Sequence, residues 1–223
     1  IYHLRVPLRL ETATGKEDLR LESRQARTQF TLESRGEPRR LVVDPEVHLF
    51  RRLDPAEIPA TVNEIKGSTA LLVVTAEGLS ESGREAASTL LQGLGQVGGR
   101  VVSETQVTRA ELQEHDLLFL GWPSRRELLP ELPKELQVET GRFTVAGETY
   151  RGEADLFAAL PHPTEAGRVA ALFLPASSAA ATAARKIPHY GKYSYLVFTV
   201  GNNVAKGTWP VGASPVIQEF SPR

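Results

Sequence analysis

The densest group of polar and aromatic side chains lies in residues 185–195, which read RKIPHYGKYSY. Positive charge and several hydrogen-bonding groups in so short a run are typical of a surface that binds an anionic ligand or a partner peptide. The alternative is structural, because cationic residues are favourable in the last turn of a helix and tyrosines pack well in a fold. We expect Tyr193 and Tyr195 to share one buried face. The candidate binding residues are His189, Tyr190 and Lys192, together with three residues further along the chain, Asn203, Lys206 and Trp209.

Residue types that carry metal or nucleophilic chemistry are scarce. The chain contains no cysteine, which excludes thiolate nucleophiles and cysteine-ligated zinc. None of the five histidines belongs to a His-Glu-x-x-His sequence, the spacing that places two imidazoles on one helix face for zinc. The G-x-S-x-G motif of serine hydrolases is absent as well. We therefore predict no catalytic residue, no metal ligand and no cofactor.

Residues 93–98, which read GLGQVG, match the dinucleotide-binding pattern G-x-G-x-x-G. That pattern binds pyrophosphate only where it leaves a strand and opens a helix. Here the order is reversed, because apolar residues at helical spacing precede the glycines and a strand beginning at Arg100 follows them. The preceding helix is predicted to begin with a capping box at Ser82. We interpret the glycines as the end of that helix and predict no nucleotide site.

The composition excludes several classes of partner. The formal net charge is -1 and no run of lysines and arginines forms a local patch, so binding to nucleic acid is not expected. No stretch approaches the ~18 uninterrupted apolar residues of a membrane-spanning helix, so membrane insertion is not expected either. The absence of cysteine fits both a reducing cytosol and a periplasm and leaves the compartment open. Because the chain has no methionine and begins inside a strand pattern, we expect it to be a fragment of a longer protein or a processed product.

Residues 1–53 are predicted to form part of an antiparallel, immunoglobulin-like β-sandwich. Apolar and polar residues alternate over residues 2–10, which is the pattern of a strand with one buried face. Further strands are predicted around residues 19–21, 28–32 and 41–43. Four strands are too few for a sandwich of about seven, so we expect the missing strands upstream or in a partner chain. The proline-rich residues 54–67 follow as a stiff connector.

Residues 68–223 are predicted to form a three-layer α/β domain with a flavodoxin- or Rossmann-like, mostly parallel sheet. Continuous apolar strands alternate with amphipathic helices, which is typical of a sheet covered on both faces. The predicted elements are strands over residues 70–74, 100–103, 116–120, 169–174 and 195–200, helices ahead of residue 93 and over residues 109–114 and 177–186, and an inserted hairpin over residues 143–150. Ser177 is the expected cap of the last helix. A ligand of such a sheet lies beyond the carboxyl ends of the strands, here near Thr75, Glu77, Gly121 and Trp122.

Two stretches resemble one protein family. Residues 43–59, which read VDPEVHLFRRLDPAEIP, resemble the segment that follows the catalytic region in bacterial M1-family (gluzincin) aminopeptidase-like proteins. Residues 188–195, with the later Asn203, Lys206 and Trp209, are similar to the C-terminal end of the same proteins. The resemblance implies that residues 2–53 belong to the β-sandwich behind the peptidase domain and that the α/β domain is an appended module. The family's zinc helix and Gly-x-Met-Glu-Asn motif do not occur in these 223 residues, so no catalytic residue is carried over.

Two functions are therefore expected, both without an assigned catalytic residue. The first, which the resemblance implies, is a non-catalytic accessory region of a zinc aminopeptidase-like protein. Its partner would be the upstream catalytic domain of the same protein or another copy of the chain. The alternative is a small-ligand-binding or hydrolytic α/β domain that uses the carboxyl ends of its strands and the 185–195 loop.

Overall fold

The computed structural model describes residues 3–54, 57–97, 99–210 and 214–221. The chain divides into two compact units, Ile1–Ile58 with Val211–Arg223, and Pro59–Pro210. The second unit is therefore inserted into the sequence of the first. The boundary after Ile58 falls within the predicted connector 54–67, and residues 211–223, which the sequence groups with the α/β domain, belong to the first unit.

One antiparallel sheet forms the first unit. It contains β1 (Leu4–Thr12), β2 (Gly15–Ser23), β3 (Pro38–Val43) and β14 (Ile217–Glu219), in the order β14-β3-β1-β2. Leu8 lies opposite Leu19 of β2, and Leu10 lies opposite Leu41 of β3. The apolar residues of the alternating pattern therefore share one face, and Leu8 and Leu10 are buried. The strand predicted from the alternation over residues 2–10 is confirmed over its described part.

The strand predicted around residues 28–32 is wrong. Residues 24–37 are irregular in the structure, and the Phe30 side chain is partly exposed. Of the three alternating residues only Phe30 and Leu32 are apolar, so they carry little surface to bury, and the arginines and glycine on either side favour a loop. The residues that the structure describes in this unit form a single sheet, so the sandwich stays a prediction.

The proline-containing segment after β3 is held together by Arg51. The Arg51 guanidinium donates two hydrogen bonds to the Glu57 carboxylate, each 2.8 Å long, and a third to Asp44 at 3.2 Å. Asp44 is buried and also accepts hydrogen bonds from the N–H groups of His48 and Leu49. The hydrogen bonds from Arg51 lower the pKa of Glu57 to about 2. An ion-pair network therefore adds to the stiffness that prolines give this segment.

A seven-stranded sheet forms the centre of the second unit. Its strands are β4 (Leu71–Thr75), β5 (Arg100–Ser103), β6 (Asp116–Leu120), β10 (Ala154–Pro161), β11 (Val169–Leu174), β12 (Tyr195–Thr199) and β13 (Asn202–Gly207), in the order β13-β12-β10-β11-β6-β4-β5. The four strands from β11 to β5 are parallel, and β10, β12 and β13 are joined to them by antiparallel pairings. The sheet is therefore mixed rather than mostly parallel. The flavodoxin- or Rossmann-like assignment stays a prediction.

Different elements cover the two faces of this sheet. Helices α1 (Val62–Lys66), α2 (Glu81–Gly93) and α4 (Ala180–Lys186) pack on one face. The other face carries α3 (Arg109–Glu114) and a three-stranded antiparallel sheet of β7 (Leu136–Glu139), β8 (Arg142–Val145) and β9 (Glu148–Arg151). The hairpin predicted over residues 143–150 is confirmed as β8 and β9. Within the described parts of the chain, no helix combines the length and the apolar character that crossing a bilayer requires.

The predicted elements do not include β10, although this strand lies in the middle of the sheet. Its residues from Leu156 to Leu160 are completely buried. The run ADLFAALP is rich in alanine and leucine, which favour helices, so its local pattern does not identify a strand. Packing from both faces decides its conformation instead. The same region corrects a second prediction, because Ser177 does not cap α4 but donates a hydrogen bond to Asp155 at 2.6 Å.

Helix α2 ends at the glycine run, as predicted. The N–H of Gln96 donates to the carbonyl of Leu91, and the N–H of Gly95 donates to the carbonyl of Gln92. Gly95 has a φ of 74°, a left-handed conformation that glycine adopts without strain. These two bonds and the left-handed residue form a Schellman cap, which satisfies the last carbonyls of the helix. Gly98 lies outside the described residues.

The start of α2 differs from the prediction. Ser80 is the N-cap, and its hydroxyl oxygen accepts a hydrogen bond from the N–H of Gly83 at 3.0 Å. The capping box predicted at Ser82 is therefore wrong. Ser82 lies in the first turn, with its hydroxyl 3.1 Å from that of Ser80. Both serines precede the apolar helix face, so the sequence alone does not select between them.

A buried histidine connects α3 to the loop that precedes β11. Nε2 of His162 lies 2.8 Å from the carbonyl oxygen of Leu112 and 3.1 Å from that of His115. Its Nδ1 accepts hydrogen bonds from the N–H groups of Thr164 and Glu165. The ring therefore carries its proton on Nε2 and is neutral. Burial lowers the pKa of His162, and the hydrogen bonds to the two carbonyls oppose that shift.

We predict that His162 makes the protein less stable in mild acid. A base with a lowered folded-state pKa leaves the unfolded chain with more bound protons below the unfolded value of about 6.5. Its contribution to the free energy of unfolding is complete above that pH and is lost as the pH falls from there through the folded pKa. Chemical denaturation between pH 7.5 and 5 should show a smaller pH dependence for His162→Gln than for the wild type, by up to about 1.4 kcal/mol per pH unit. Equal slopes would contradict the assignment.

Candidate functional site

Three of the six predicted binding residues lie together around Tyr193. The Lys206 ammonium lies 5.2 Å from the ring centre of Tyr190 and 5.3 Å from that of Tyr193. The Lys192 ammonium lies 5.4 Å from the ring centre of Tyr193. The two tyrosine rings are 6.1 Å apart and tilted by 52°. We call Tyr190, Lys192, Tyr193 and Lys206 the lysine–tyrosine surface.

Backbone hydrogen bonds fix the loop that carries this surface. The first N–H groups of α1, from Val62 and Asn63, donate to the carbonyls of Tyr193 and Gly191 at 3.0 and 2.9 Å. These are donors that a helix cannot satisfy internally. A side chain at position 191 would overlap the Asn63 amide, so any other residue there displaces the Asn63 side chain. The loop with the sequence PHYGKY therefore has a structural role, because its carbonyls satisfy the first N–H groups of α1.

Trp209 packs on the opposite face of the sheet, together with Tyr195. Its indole N–H donates to the carbonyl of Ala159 at 2.6 Å, and the Tyr195 and Trp209 ring centres are 4.8 Å apart. Trp209 is a buried core residue and not part of an exposed binding surface. The expectation that Tyr193 and Tyr195 share a face is wrong, because Tyr193 packs on the helix side and Tyr195 on the other. The extended run begins only at Tyr195, so alternation does not apply across Ser194.

The last two predicted residues, Asn203 and His189, are not among the four residues of this surface. The Asn203 amide donates to the carbonyls of Val197 and Ala205, at 3.0 and 2.9 Å, where the pairing of β12 with β13 shifts register. Asn203 therefore donates to backbone carbonyls that lack a strand partner where the ladder is irregular. His189 is exposed at the end of a short 3₁₀ turn, Ile187–His189.

A separate cavity of about 560 Å³ opens at the carboxyl ends of the parallel strands. The loop after β4 contributes Ala76 and residues 78–80 to its wall. The loop after β6 contributes Gly121 and Trp122, and the loop after β11 contributes Pro175 and Ala176. Residues of β7, β8 and β9 close the opposite side. A ligand is expected near Gly121 and Trp122 from the order of the predicted strands, and both residues line the cavity. The other two residues of that prediction, Thr75 and Glu77, line a neighbouring groove between α2 and β5.

Gly121 shapes the floor of the cavity. Its N–H donates to the carbonyl of Phe173, and the N–H of Ala76 donates to the carbonyl of Leu120, so the strand pairing continues into the loops. Gly121 has a φ of 81°, which favours glycine, and a Cβ there would lie 3.1 Å from the Cβ of Ala76. Glycine therefore allows the chain to turn from β6 into the cavity wall without strain, and another residue there would be strained.

Three arginines from different elements line the cavity. The Arg126 guanidinium lies 4.0 Å from the Trp122 ring centre, and no ion pair or hydrogen bond of its side chain occurs among the described residues. Arg151 of β9 also has no such partner in the described part of the chain, whereas Arg142 of β8 is bonded to Glu139 at 2.6 and 2.9 Å. Desolvation lowers the pKa of Arg126, although an arginine stays charged near neutral pH. Two guanidinium groups therefore have unused hydrogen-bond donors beside one cavity.

Aromatic rings complete the wall. Phe143 and Tyr150 are stacked with their ring centres 5.4 Å apart, and Trp122 lies under Arg126. The Tyr150 hydroxyl donates to Glu148 at 2.7 Å. Desolvation, followed by that hydrogen bond, raises the pKa of Tyr150 to about 12, so the phenol remains protonated and neutral. The cavity thus combines positive charge with flat apolar surface.

A buried carboxylate, that of Glu104, ties together the loops that form one side of the cavity. Its two oxygens accept hydrogen bonds from the N–H groups of Glu77 and Arg125, at 2.8 and 3.0 Å. The Arg125 side chain donates to the Glu104 carbonyl at 2.9 Å, and the Glu104 N–H donates to Thr75. The residue is 1% exposed. Glu104, which follows β5, therefore positions the loops that follow β4 and β6 and with them Arg126.

Asp155 holds the remaining loop in the same way. This fully buried carboxylate accepts hydrogen bonds from the N–H groups of Ala176 and Ser177 and from the Ser177 hydroxyl, at 2.6 to 2.9 Å. Glu153 accepts two further hydrogen bonds from Ser178, each 2.8 Å long. The loop after β11 is therefore fixed against the start of β10. The sequence gives no local signal for this contact, because the partners are more than 20 positions apart.

We predict that Glu104→Gln destabilises the protein although it preserves the shape of the side chain. An amide has only one acceptor oxygen, so the N–H of either Glu77 or Arg125 loses its partner in a partly buried site, at a cost of about 1 kcal/mol or more. Thermal unfolding should occur several degrees lower. The matched control is Glu131→Gln, an exposed glutamate between β6 and β7, which should leave the melting temperature unchanged. Equal melting of Glu104→Gln and the wild type would show that Glu104 does not brace these loops.

Comparison with known proteins adds no assignment to this geometry. No family model matches the chain, and the search of curated proteins returned no match. The cavity and the lysine–tyrosine surface are therefore the features from which a function is inferred.

Proposed function

We propose that residues 59–210 form a binding module that captures a small anionic ligand with a flat apolar part in the cavity at the strand ends. The observation that carries this proposal is the pair of guanidinium groups, Arg126 and Arg151, that line one cavity without a bonded partner among the described residues. Guanidinium groups bind carboxylates and phosphates through paired, charge-assisted hydrogen bonds. A cavity of about 560 Å³ has room for a ligand of this kind.

The order of the parallel strands supports a ligand at this position. From β5 to β11 the strands occur in the chain order second, first, third, fourth, which is the order of a flavodoxin-like sheet. In such sheets ligands bind beyond the carboxyl ends, where neighbouring connections leave in opposite directions. Here α2 leaves β4 on one face, and the chain that leaves β6, with Leu128 and strands β7–β9, packs on the other. We infer that the parallel half is a flavodoxin-like unit with its ligand site between β4 and β6.

The aromatic wall favours a ligand with a planar group. Trp122, Phe143 and Tyr150 present ring surface to the cavity, and the Tyr150 hydroxyl is already bonded to Glu148. Stacking on such rings contributes to binding beyond the area buried. We assign these residues to orientation of the ligand and Arg126 and Arg151 to its charge. No reaction is proposed at this site.

A role as an accessory region fits the same module. The stretches that resemble M1-family aminopeptidase-like proteins, residues 43–59 and 188–195, support the proposal that this chain is a non-catalytic region of such a protein. Arg51 of the first stretch organises its own segment through Asp44 and Glu57. In this proposal the cavity supplies ligand binding, and the peptidase domain upstream or another copy of the chain is the partner.

The ligand site is tested by calorimetric titration with phenyl phosphate, with inorganic phosphate as the comparison. We expect phenyl phosphate to bind about tenfold more tightly than phosphate, because only it can stack on the aromatic wall. Arg126→Met and Arg151→Met should each weaken binding of phenyl phosphate by about ten- to hundredfold, the effect of losing hydrogen bonds to a charged group.

The matched control is Arg109→Met, which removes the same charge from the exposed start of α3, outside the cavity. Its affinity for phenyl phosphate should equal that of the wild type. An equal loss in the Arg109 variant would mean that only net charge matters. Unchanged affinity in both cavity variants would place the ligand elsewhere and reject the proposed site.

A further inference from the structure

The two lysines of the lysine–tyrosine surface have no carboxylate partner in the part of the chain that the structure describes. None of the ion pairs within 4.0 Å among the described residues includes Lys192 or Lys206. By contrast, Lys16 is paired with Glu11 at 2.9 Å, and the Lys186 ammonium donates to the carbonyl of Gly201 at 2.6 Å. Lys192 and Lys206 instead flank the Tyr193 ring. Two positive charges held beside one ring leave a local excess of charge in a chain whose net charge is -1.

The adjacent strand β13 lies at an edge of the seven-stranded sheet. An open groove of about 530 Å³ follows this strand, with residues 203–206 on one wall and the β8–β9 hairpin on the other. Val204 of β13 is 53% exposed. The outer backbone groups of an edge strand can pair with an added strand, and this is a common way of binding extended peptides.

The two sides of the groove differ in character. Lys206 lies opposite Leu196, whose side chain belongs to the core on the helix side of the sheet. Ala205 lies opposite Val197, which belongs to the core on the other side. That second side of the groove also contains Val145 and Ala146 of the hairpin. A strand added beside β13 would therefore face lysines on one side and mostly small apolar residues on the other, since side chains alternate along a strand.

We propose that this edge binds an extended segment of a partner protein in which acidic residues alternate with apolar ones. The acidic side chains pair with Lys206 and Lys192, and the apolar side chains lie against Ala205 and the hairpin. The Glu148 carboxylate on the hairpin wall accepts a hydrogen bond from Tyr150, and it disfavours acidic residues on that side. The pattern of charge thus fixes which face of the segment points to the lysines.

An acidic peptide fits these residues better than a polyanion. Nucleic acids are bound by many cations that neutralise successive phosphates, and this surface offers two. Both are lysines, whereas planar recognition of phosphate favours arginine. The backbone pairing available along β13 is specific to a polypeptide. The lysine–tyrosine surface shares no residue with the strand-end cavity, although Tyr150 of the hairpin lines both that cavity and the groove beside β13. The proposed peptide binding does not depend on a ligand in the cavity.

The proposal is tested by fluorescence anisotropy with a labelled peptide of four Val-Glu repeats and the wild-type chain. We expect saturable binding that weakens as salt is raised, because charge pairs at a surface are screened. The corresponding peptide of four Val-Gln repeats should bind at least tenfold more weakly. Lys206→Met should weaken binding of the Val-Glu peptide about tenfold, and the double variant with Lys192→Met should remove it.

Two controls separate this site from the fold and from the cavity. Lys134→Met removes an exposed lysine elsewhere in the same unit and should leave peptide affinity unchanged, as should Arg126→Met in the cavity. Melting temperatures of the Lys206 and Lys192 variants should match the wild type. Equal binding of the Val-Gln peptide, equal loss in Lys134→Met, or a fall in melting temperature that accounts for lost binding would overturn the proposal. Stronger binding of a single-stranded oligonucleotide with the same dependence on Lys206 would also overturn it.

Discussion

Backbone N–H groups in the partly buried loops at the carboxyl ends of the parallel strands need acceptors, and buried carboxylates supply them. Glu104 accepts from the loops after β4 and β6, and Asp155 accepts from the loop after β11. An unpaired donor in such a place costs far more than one hydrogen bond contributes, so these two side chains determine the paths of three loops. The cavity, with Gly121 and Trp122 in its wall, exists because those paths are fixed.

The fixed loops allow positive charge to be held without a neutralising partner. Arg126 is carried by the loop that Glu104 braces, and it rests on Trp122 rather than on a carboxylate. The Coulomb field of Glu104 acts on Arg126 against the effect of its desolvation. The lysine–tyrosine surface uses a similar arrangement, since aromatic rings lie beneath Lys192 and Lys206. In both places cation–π contact orders a cation and leaves its hydrogen-bond donors available.

Long segments with a clear period could be predicted from the sequence. Helix α2, its glycine stop, and the strands β4, β6 and β11 follow from apolar spacing and from the Schellman cap, because those signals are local. Strand β10 could not be predicted, since its alanine- and leucine-rich run becomes a strand only through packing on both faces. Because β10 pairs antiparallel with both neighbours, missing it also led to the expectation of a mostly parallel sheet.

Some residues of the candidate site could likewise be predicted from the sequence, and others could not. Gly121 and Trp122 could be predicted from the rule that ligands lie beyond strand ends, which needs only the order of elements. Arg126, Arg142 and Arg151 could not, because they come from separate elements and meet only in the folded chain. The role of Glu104 in holding the loops could not be predicted either, since nothing in the surrounding sequence indicates that this glutamate is buried. The polar and aromatic residues of 185–195 do not form one site. In the folded chain some of them pack in the core and others belong to the lysine–tyrosine surface.

The most direct measurement of the central claim is anomalous diffraction from crystals soaked in selenate, a tetrahedral oxyanion that selenium makes visible. The cavity model predicts an anomalous peak within hydrogen-bond distance of both Arg126 and Arg151, and no such peak in crystals of the Arg126→Met variant. Selenate bound only at other surface sites, with the space between these two arginines empty in the wild type, would contradict the claim that they form an anion site.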